Sequence, residues 1–213
     1  MRHVIFDLDG TLIDSAPDIR RAANAVLEEE GAAPLTMEET RRFVGGGAPI
    51  FVERMSDARA LPEPRRRQVL ERFVEVYEGA TALTRPYPGV PEVLASLSRD
   101  GHALGLCTNK PEGPTGAVLE ALGLAGFFGA VVSGDTLSVR KPDPAPLHEC
   151  LERLGGGPAL YVGDSEVDFE TARRAGMPFA LHTEGYRQDP LNAVPAAMRF
   201  DDMRALPGIV ASL

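Results

Sequence analysis

From residue 86 onward the chain alternates between short apolar runs and amphipathic stretches, a pattern few folds accept. HALGLC (102–107), AVVS (130–133), ALYV (159–162) and PFAL (178–181) have the length and composition of buried strands. Between them, residues 90–97, 115–122, 144–154 and 167–175 repeat apolar side chains at three- and four-residue steps, as helices do. Gly123 stops the second of these helices and glycines 155 to 157 stop the third. Strands alternating with helices through short loops build βαβ crossovers, which means a parallel sheet covered by helices on both faces. The expected fold is α/β, a Rossmann-like parallel core of about five strands, closed by a short helix over residues 202–206.

The remaining strand stands at the start of the chain, in VIFDLDGTLID (4–14). Val4, Ile5 and Phe6 are β-formers, and Gly10 and Thr11 break the run. A period of two puts Asp7 and Asp9 on the same side of the backbone, with Leu8 on the other. Two close carboxylates repel each other and are costly to desolvate, so they call for a counter-charge. A divalent cation is the simplest one, and hard oxygen ligands suit Mg²⁺ shared with a phosphate. On this stretch alone, a plain polar turn ending the strand is an equal reading.

Residues 15 to about 83 separate this strand from the next and show only helical periodicity. One amphipathic helix runs from Pro17 to Gly31, capped by Ser15 or near Asp18; a second begins at Thr36 and reaches Val44. A third passes through Phe51, Val52 and Met55, and a fourth extends from Pro64 to Gly79. This block reads as a small all-helical domain inserted after the first strand. The expected organisation is core 1–14, helical insert 15–83 and core again 84–213.

A net charge of −9 argues against a nucleic-acid surface but not against a small anionic substrate. Two cysteines, Cys107 and Cys150, make no disulfide framework and fit a reducing cytosol, as small apolar fillers. The start MRHVIFDLDG lacks a signal-peptide core and no apolar run approaches 18 residues. These features give a cytoplasmic, non-membrane reading.

Ligands of open parallel sheets bind at the carboxyl ends of the strands. Here those ends carry Asp7 and Asp9, then Thr108 and Asn109, then Asp164 and Ser165, with Arg140-Lys141-Pro142-Asp143 opening a helix. Each has an ordinary explanation as a turn, a solvated side chain or a helix cap. Their order and spacing together make that ordinary account poor, and a shared site requires Asp164 and Lys141 to fold beside Asp7.

The segments VIFDLDGTLID, LCTNK, RKPDP and VGDSEVD resemble, in order and position, the four signature motifs of the haloacid dehalogenase superfamily. A helical insert after the first motif is similar to the cap of the subgroup containing phosphoglycolate phosphatases, beta-phosphoglucomutases and haloacid dehalogenases. CTNKPE, GDTLSVRKPDPAPL and GDSEVD look most like the phosphoglycolate phosphatases. The resemblance implies Asp7 as nucleophile and Asp9 as general acid and base. It implies Mg²⁺ held by the Asp7 side chain, the Asp9 carbonyl and Asp164, with Asp168 behind them. It further implies Thr108 and the amide of Asn109 on the phosphoryl oxygens and Lys141 offsetting their charge. The expected reaction is hydrolysis of a small phosphorylated metabolite, foremost 2-phosphoglycolate. The alternatives are another sugar phosphate, a beta-phosphoglucomutase-type isomerase, or a non-catalytic phospho-ligand binder.

Within the family, Asp9 speaks against a dehalogenase, and Leu8-Asp9 stands where P-type ATPase relatives carry Lys-Thr. Residues 15–83 contain no lysine, which removes the Schiff-base chemistry of the phosphonatases. Glycines 45 to 47 suit either a substrate-facing loop or a helix break. Arg20 and Arg21 are candidates for a substrate carboxylate, Arg65 to Arg67 read as a solvated face, and His182 as a structural histidine. A monomer and a homodimer are equally compatible.

Overall fold

The computed structural model describes residues 2–188, 194–196 and 198–213. In chain order its strands are β1 (His3–Phe6), β2 (Ile13–Asp14), β3 (Arg85–Pro86), β4 (Leu104–Cys107), β5 (Phe128–Val132), β6 (Ala159–Gly163), β7 (Phe179–His182) and β8 (Met198–Phe200). The helices are α1 (Ala16–Glu29), α2 (Met37–Phe43), α3 (Ala48–Ala58), α4 (Arg66–Tyr77), α5 (Val90–Arg99), α6 (Glu112–Ala121), α7 (Ala145–Arg153), α8 (Glu166–Ala175) and α9 (Leu206–Ala211).

Six strands form one parallel sheet in the order β5-β4-β1-β6-β7-β8. The first strand of the chain is thus central, flanked by β4 and β6. Strand alternation shows directly in the packing. Val4 and Phe6 join a core with α5, α6 and α9 on one face, while Ile5 joins Leu147, Cys150 and Ala172 of α7 and α8 on the other. Both cysteines are buried and free, as expected of apolar fillers.

Helices α1 to α4 surround a separate apolar cluster that includes Val26, Leu27, Phe51, Met55, Phe73 and Tyr77. Phe43, Phe51, Phe73 and Tyr77 form a ladder of rings with successive centroids 6.4, 5.1 and 5.4 Å apart. Thr36 and Glu39 build a capping box at the start of α2, and Arg59 clamps Glu39 at 2.9 Å, holding its carboxyl down at about 2. The chain enters and leaves this block through β2 and β3, paired antiparallel with Ile13 opposite Pro86. Buried Asp18 accepts from Leu83 and Thr84 N–H at 2.9 and 2.7 Å, tying the block's exit to its first helix.

The sheet has six strands rather than about five. β8 is three residues long, and β2 and β3 are two each, too short to express a period. The strand expected from His102 starts at Leu104, because the His102 N–H is still bonded to the Leu97 carbonyl at the end of α5. The helix expected from Thr115 starts at Glu112, since a proline at 114 is tolerated in a first turn. Residues 202–206 form a 3₁₀ turn over Met203–Ala205 that continues into α9.

Candidate active site

β1, β4 and β6 are neighbours, so the loops that follow them share one edge of the sheet. The Asp7 N–H bonds the Val162 carbonyl at 2.8 Å, which anchors Asp7 against the end of β6. The chain then turns tightly: the Leu8 carbonyl accepts from Leu12 at 2.9 Å, and Gly10 adopts a φ of 92°. A Cβ at Gly10 would stand 2.4 Å from Asp164 Oδ2, so glycine serves both the turn and the close approach.

Asp7, Asp164 and Asp168 come together, each placing one oxygen within 4.8 Å of the others. Asp164 is fixed by Thr11 Oγ1 at 2.7 Å and by the Tyr186 N–H at 2.6 Å. Ser165, not Asp164, is the N-cap of α8, in a capping box with Asp168. One Asp168 oxygen accepts from Ser165 Oγ at 2.6 Å, and the other from Lys141 Nζ at 2.7 Å and Tyr161 Oη at 2.9 Å. Lys141 Nζ also donates to Asp7 Oδ1 at 2.7 Å, so the lysine bridges two of the three carboxylates.

The Asp9 carboxylate accepts from Ser15 Oγ and from Lys110 Nζ at 3.1 Å. Ser15 occupies the N-cap of α1 without making a side-chain cap bond. Thr108 lines the cavity beside Asp7, and its Oγ1 accepts the Lys110 N–H at 3.2 Å. The Asn109 side chain is a strut: Nδ2 donates to the Gly45 and Lys141 carbonyls, Oδ1 accepts the Lys141 N–H, all at 3.0 Å.

Burial pushes the Asp7 carboxyl up to about 7, with Lys141 pulling the other way and Asp168 adding repulsion. Burial likewise drives Asp164 well above the usual carboxylate range. Asp168 is equally buried, but Lys141, Ser165 and Tyr161 outweigh that and hold it below its ordinary value. Burial also disfavours the Lys141 and Lys110 ammoniums; their carboxylate partners prevail and keep both firmly protonated. Four carboxylates therefore face two ammoniums, leaving an excess of two negative charges when all are ionised. An all-oxygen trio with that excess fits a hard divalent cation.

A cavity of about 50 Å³ opens beside Asp7 and Asp9, walled on the helical-block side by Val44, Gly45, Phe51, Phe73 and Tyr77. A neighbouring one of about 60 Å³ reaches Lys141, Asp164 and Arg54. Glycines 45 to 47 thus line the site, and Gly47 also opens α3. Arg20 and Arg21 lie elsewhere, in a groove along α1, with Arg21 paired to Asp18 at 3.3 Å. Arg65 to Arg67 pair with surface acids. His182 is buried, with Nδ1 3.0 Å from the Gly10 carbonyl and its ring between Tyr87 and Phe200.

Lys110, Tyr77, Tyr161, Thr11 and Arg54 escape the sequence reading. Lys110 had a signal: lysine occurs only twice in 213 residues, against 20 arginines, and both lysines are buried here. Tyr77 had none, because it continues the apolar face of α4.

The model of the haloacid dehalogenase-like hydrolase family matches residues 4–182. A phosphoglycolate phosphatase of Cereibacter sphaeroides (strain ATCC 17029 / ATH 2.4.9) is 45% identical over 216 residues, covering 100% of this chain and 99% of its own. The phosphoglycolate phosphatase of Rhodobacter capsulatus is 45% identical over 97% of this chain and 95% of its own. Among solved structures, one described as a predicted phosphoglycolate phosphatase from Haemophilus somnus 129PT superposes with a TM-score of 0.93 at 29% identity, covering 99% and 98% of the two chains.

Proposed function

The chain belongs to the haloacid dehalogenase-like hydrolase family and is a phosphatase, and from that premise we propose that it hydrolyses 2-phosphoglycolate to glycolate and phosphate with Mg²⁺. The observation that carries the reading is the meeting of Asp7, Asp164 and Asp168 around Lys141, with Asp9 on the cavity beside them. The relatives named above supply the substrate.

Asp7 attacks phosphorus as the nucleophile, the ester P–O bond breaks, and an aspartyl-phosphate forms. The departing glycolate oxygen takes a proton from Asp9. Water then attacks the acyl phosphate, giving its proton to Asp9 and releasing phosphate from Asp7. Ser15 and Lys110 hold the Asp9 carboxylate in place for both steps. Thr108 and the backbone N–H of Asn109 receive the phosphoryl oxygens, and Lys141 offsets their charge. The Asp7 and Asp164 side chains and the Asp9 carbonyl would hold Mg²⁺, which neutralises phosphoryl charge when bound. Asp168 keeps Lys141 and Ser165 positioned behind them. Residues 15–83 act as a cap on a core made of 1–14 and 84–213, in a cytoplasmic monomer or homodimer.

The test is phosphate release. Phosphoglycolate and p-nitrophenyl phosphate should both yield free phosphate without a bisphosphate activator, and a strict activator requirement would turn the reading to a mutase. Asp7→Asn should abolish turnover while the fold persists, and residual activity above about a tenth of normal would remove Asp7 as nucleophile.

A further inference from the structure

The two lysines of the chain divide the site between them. Lys141 is fully engaged, its three N–H donors facing Asp7, Asp168 and Tyr161. Lys110 is differently placed. It lies on the wall of the cavity beside Asp7 and Asp9, whose surface toward the helical block is apolar with Ile19, Val44, Phe51 and Phe73. Its ammonium donates to both oxygens of the Asp9 carboxylate, at 3.1 and 3.4 Å, and to the Tyr77 hydroxyl. The Tyr77 hydroxyl accepts from Lys110, and its own O–H has no acceptor among the described residues. Tyr77 is buried and stacked on Phe73 at 5.4 Å, so this donor is rigidly held.

A cation and a spare hydroxyl donor beside an apolar wall suit an anion. The phosphoryl group has its own cation in Lys141, on the Asp7 side. Lys110 instead touches Asp9, the residue that protonates the leaving oxygen, and so stands on the leaving-group side. In phosphoglycolate the carboxylate is a single methylene beyond that oxygen. We propose that Lys110, steadied by Tyr77, is the specificity-determining cation that binds the substrate's carboxylate. This deepens the phosphoglycolate reading and rests on it.

The experiment compares kcat/KM for carboxylated esters and carboxylate-free counterparts: 2-phosphoglycolate against ethyl phosphate, and 3-phosphoglycerate against glycerol 3-phosphate. The wild type should prefer phosphoglycolate by about 100-fold or more, as a site built for a polar group rejects its absence. Lys110→Met should bring that ratio to within a few fold of unity, and Tyr77→Phe should reduce it by about 3–10-fold, chiefly through KM. Circular dichroism establishes that each variant folds; should Lys110→Met fail, Lys110→Gln and Tyr77→Phe carry the test. If phosphoglycolate is preferred and the variants lower both esters equally, the Lys110 assignment falls and the substrate reading stands. If another carboxylated ester is preferred, and Lys110→Met erases that preference, the assignment stands and the substrate changes. No carboxylate preference in the wild type overturns both.

Discussion

One ammonium cannot satisfy two carboxylates equally, and Lys141 shows which prevails. Asp168 adds Ser165 and Tyr161 to the lysine and stays ionised, whereas Asp7 has Lys141 alone against the cost of burial and is pushed up to about 7. The less stabilised carboxylate is the better nucleophile and the one readier to share a cation. A second buried titratable group, His182, works on stability. Burial lowers its pKa from 6.5, with the Gly10 carbonyl and the charges of Glu184 and Asp201 pulling the other way. Between the lowered folded value and 6.5 the unfolded chain binds a proton that the folded chain refuses, so stability rises with pH across that window. Acidifying below about pH 6.5 should therefore cost stability through His182. His182→Asn should flatten the dependence of the melting temperature on pH between roughly 5 and 6.5 relative to wild type. Parallel slopes in the two proteins would assign the effect to other groups.

At the scale of elements, the strands and helices that could be read in the sequence are those long enough to show a period, and the sheet they form brings Asp7, Lys141, Asp164 and Asp168 to one edge. β2, β3 and β8 escaped because two or three residues carry no alternation, and their pairing comes from tertiary contact alone. Asp9 was legible as an acid beside Asp7 but not as the partner of Lys110, since that contact joins residues 101 apart. The loop after β7 closes over Asp164. A Cβ at Gly185 would lie 2.3 Å from Asp164 Cβ and 2.4 Å from Oδ2. Gly185→Ala should displace this carboxylate while leaving strands and helices intact. The expected result is a 10–100-fold rise in the Mg²⁺ concentration for half-maximal activity, about what the loss of a ligand's supporting contact costs. An unchanged Mg²⁺ requirement would argue that Asp164 holds no metal.

For the whole molecule, the apolar cores of the sheet and of the helical block flank one charged seam. Phe73 and Tyr77 bring the core of the helical block up to the cavity, and the strand ends bring four carboxylates and both lysines to it. The chain already carries a net charge of −9, and with all four carboxylates ionised the seam would concentrate two uncompensated charges where water is scarce. Among the described residues no helix is long and apolar enough to cross a membrane. A bound divalent cation relieves this repulsion, and binding to the folded state alone stabilises by RT ln(1 + [L]/Kd). At a hundredfold excess over Kd that is about 2.7 kcal/mol, or roughly 5–10 °C of melting temperature for a chain of this length. Chelation should remove that increment and silence turnover, and Mg²⁺ should restore both. Asp7→Asn takes one charge out of the excess while its amide oxygen can still accept from Lys141. Without metal, the variant should therefore melt at or above the wild type, and Mg²⁺ should raise its melting temperature by less than about half as much. A metal-free Asp7→Asn several degrees less stable than metal-free wild type would mean that the site is not overcharged. The cation would then have to be sought on grounds other than charge balance.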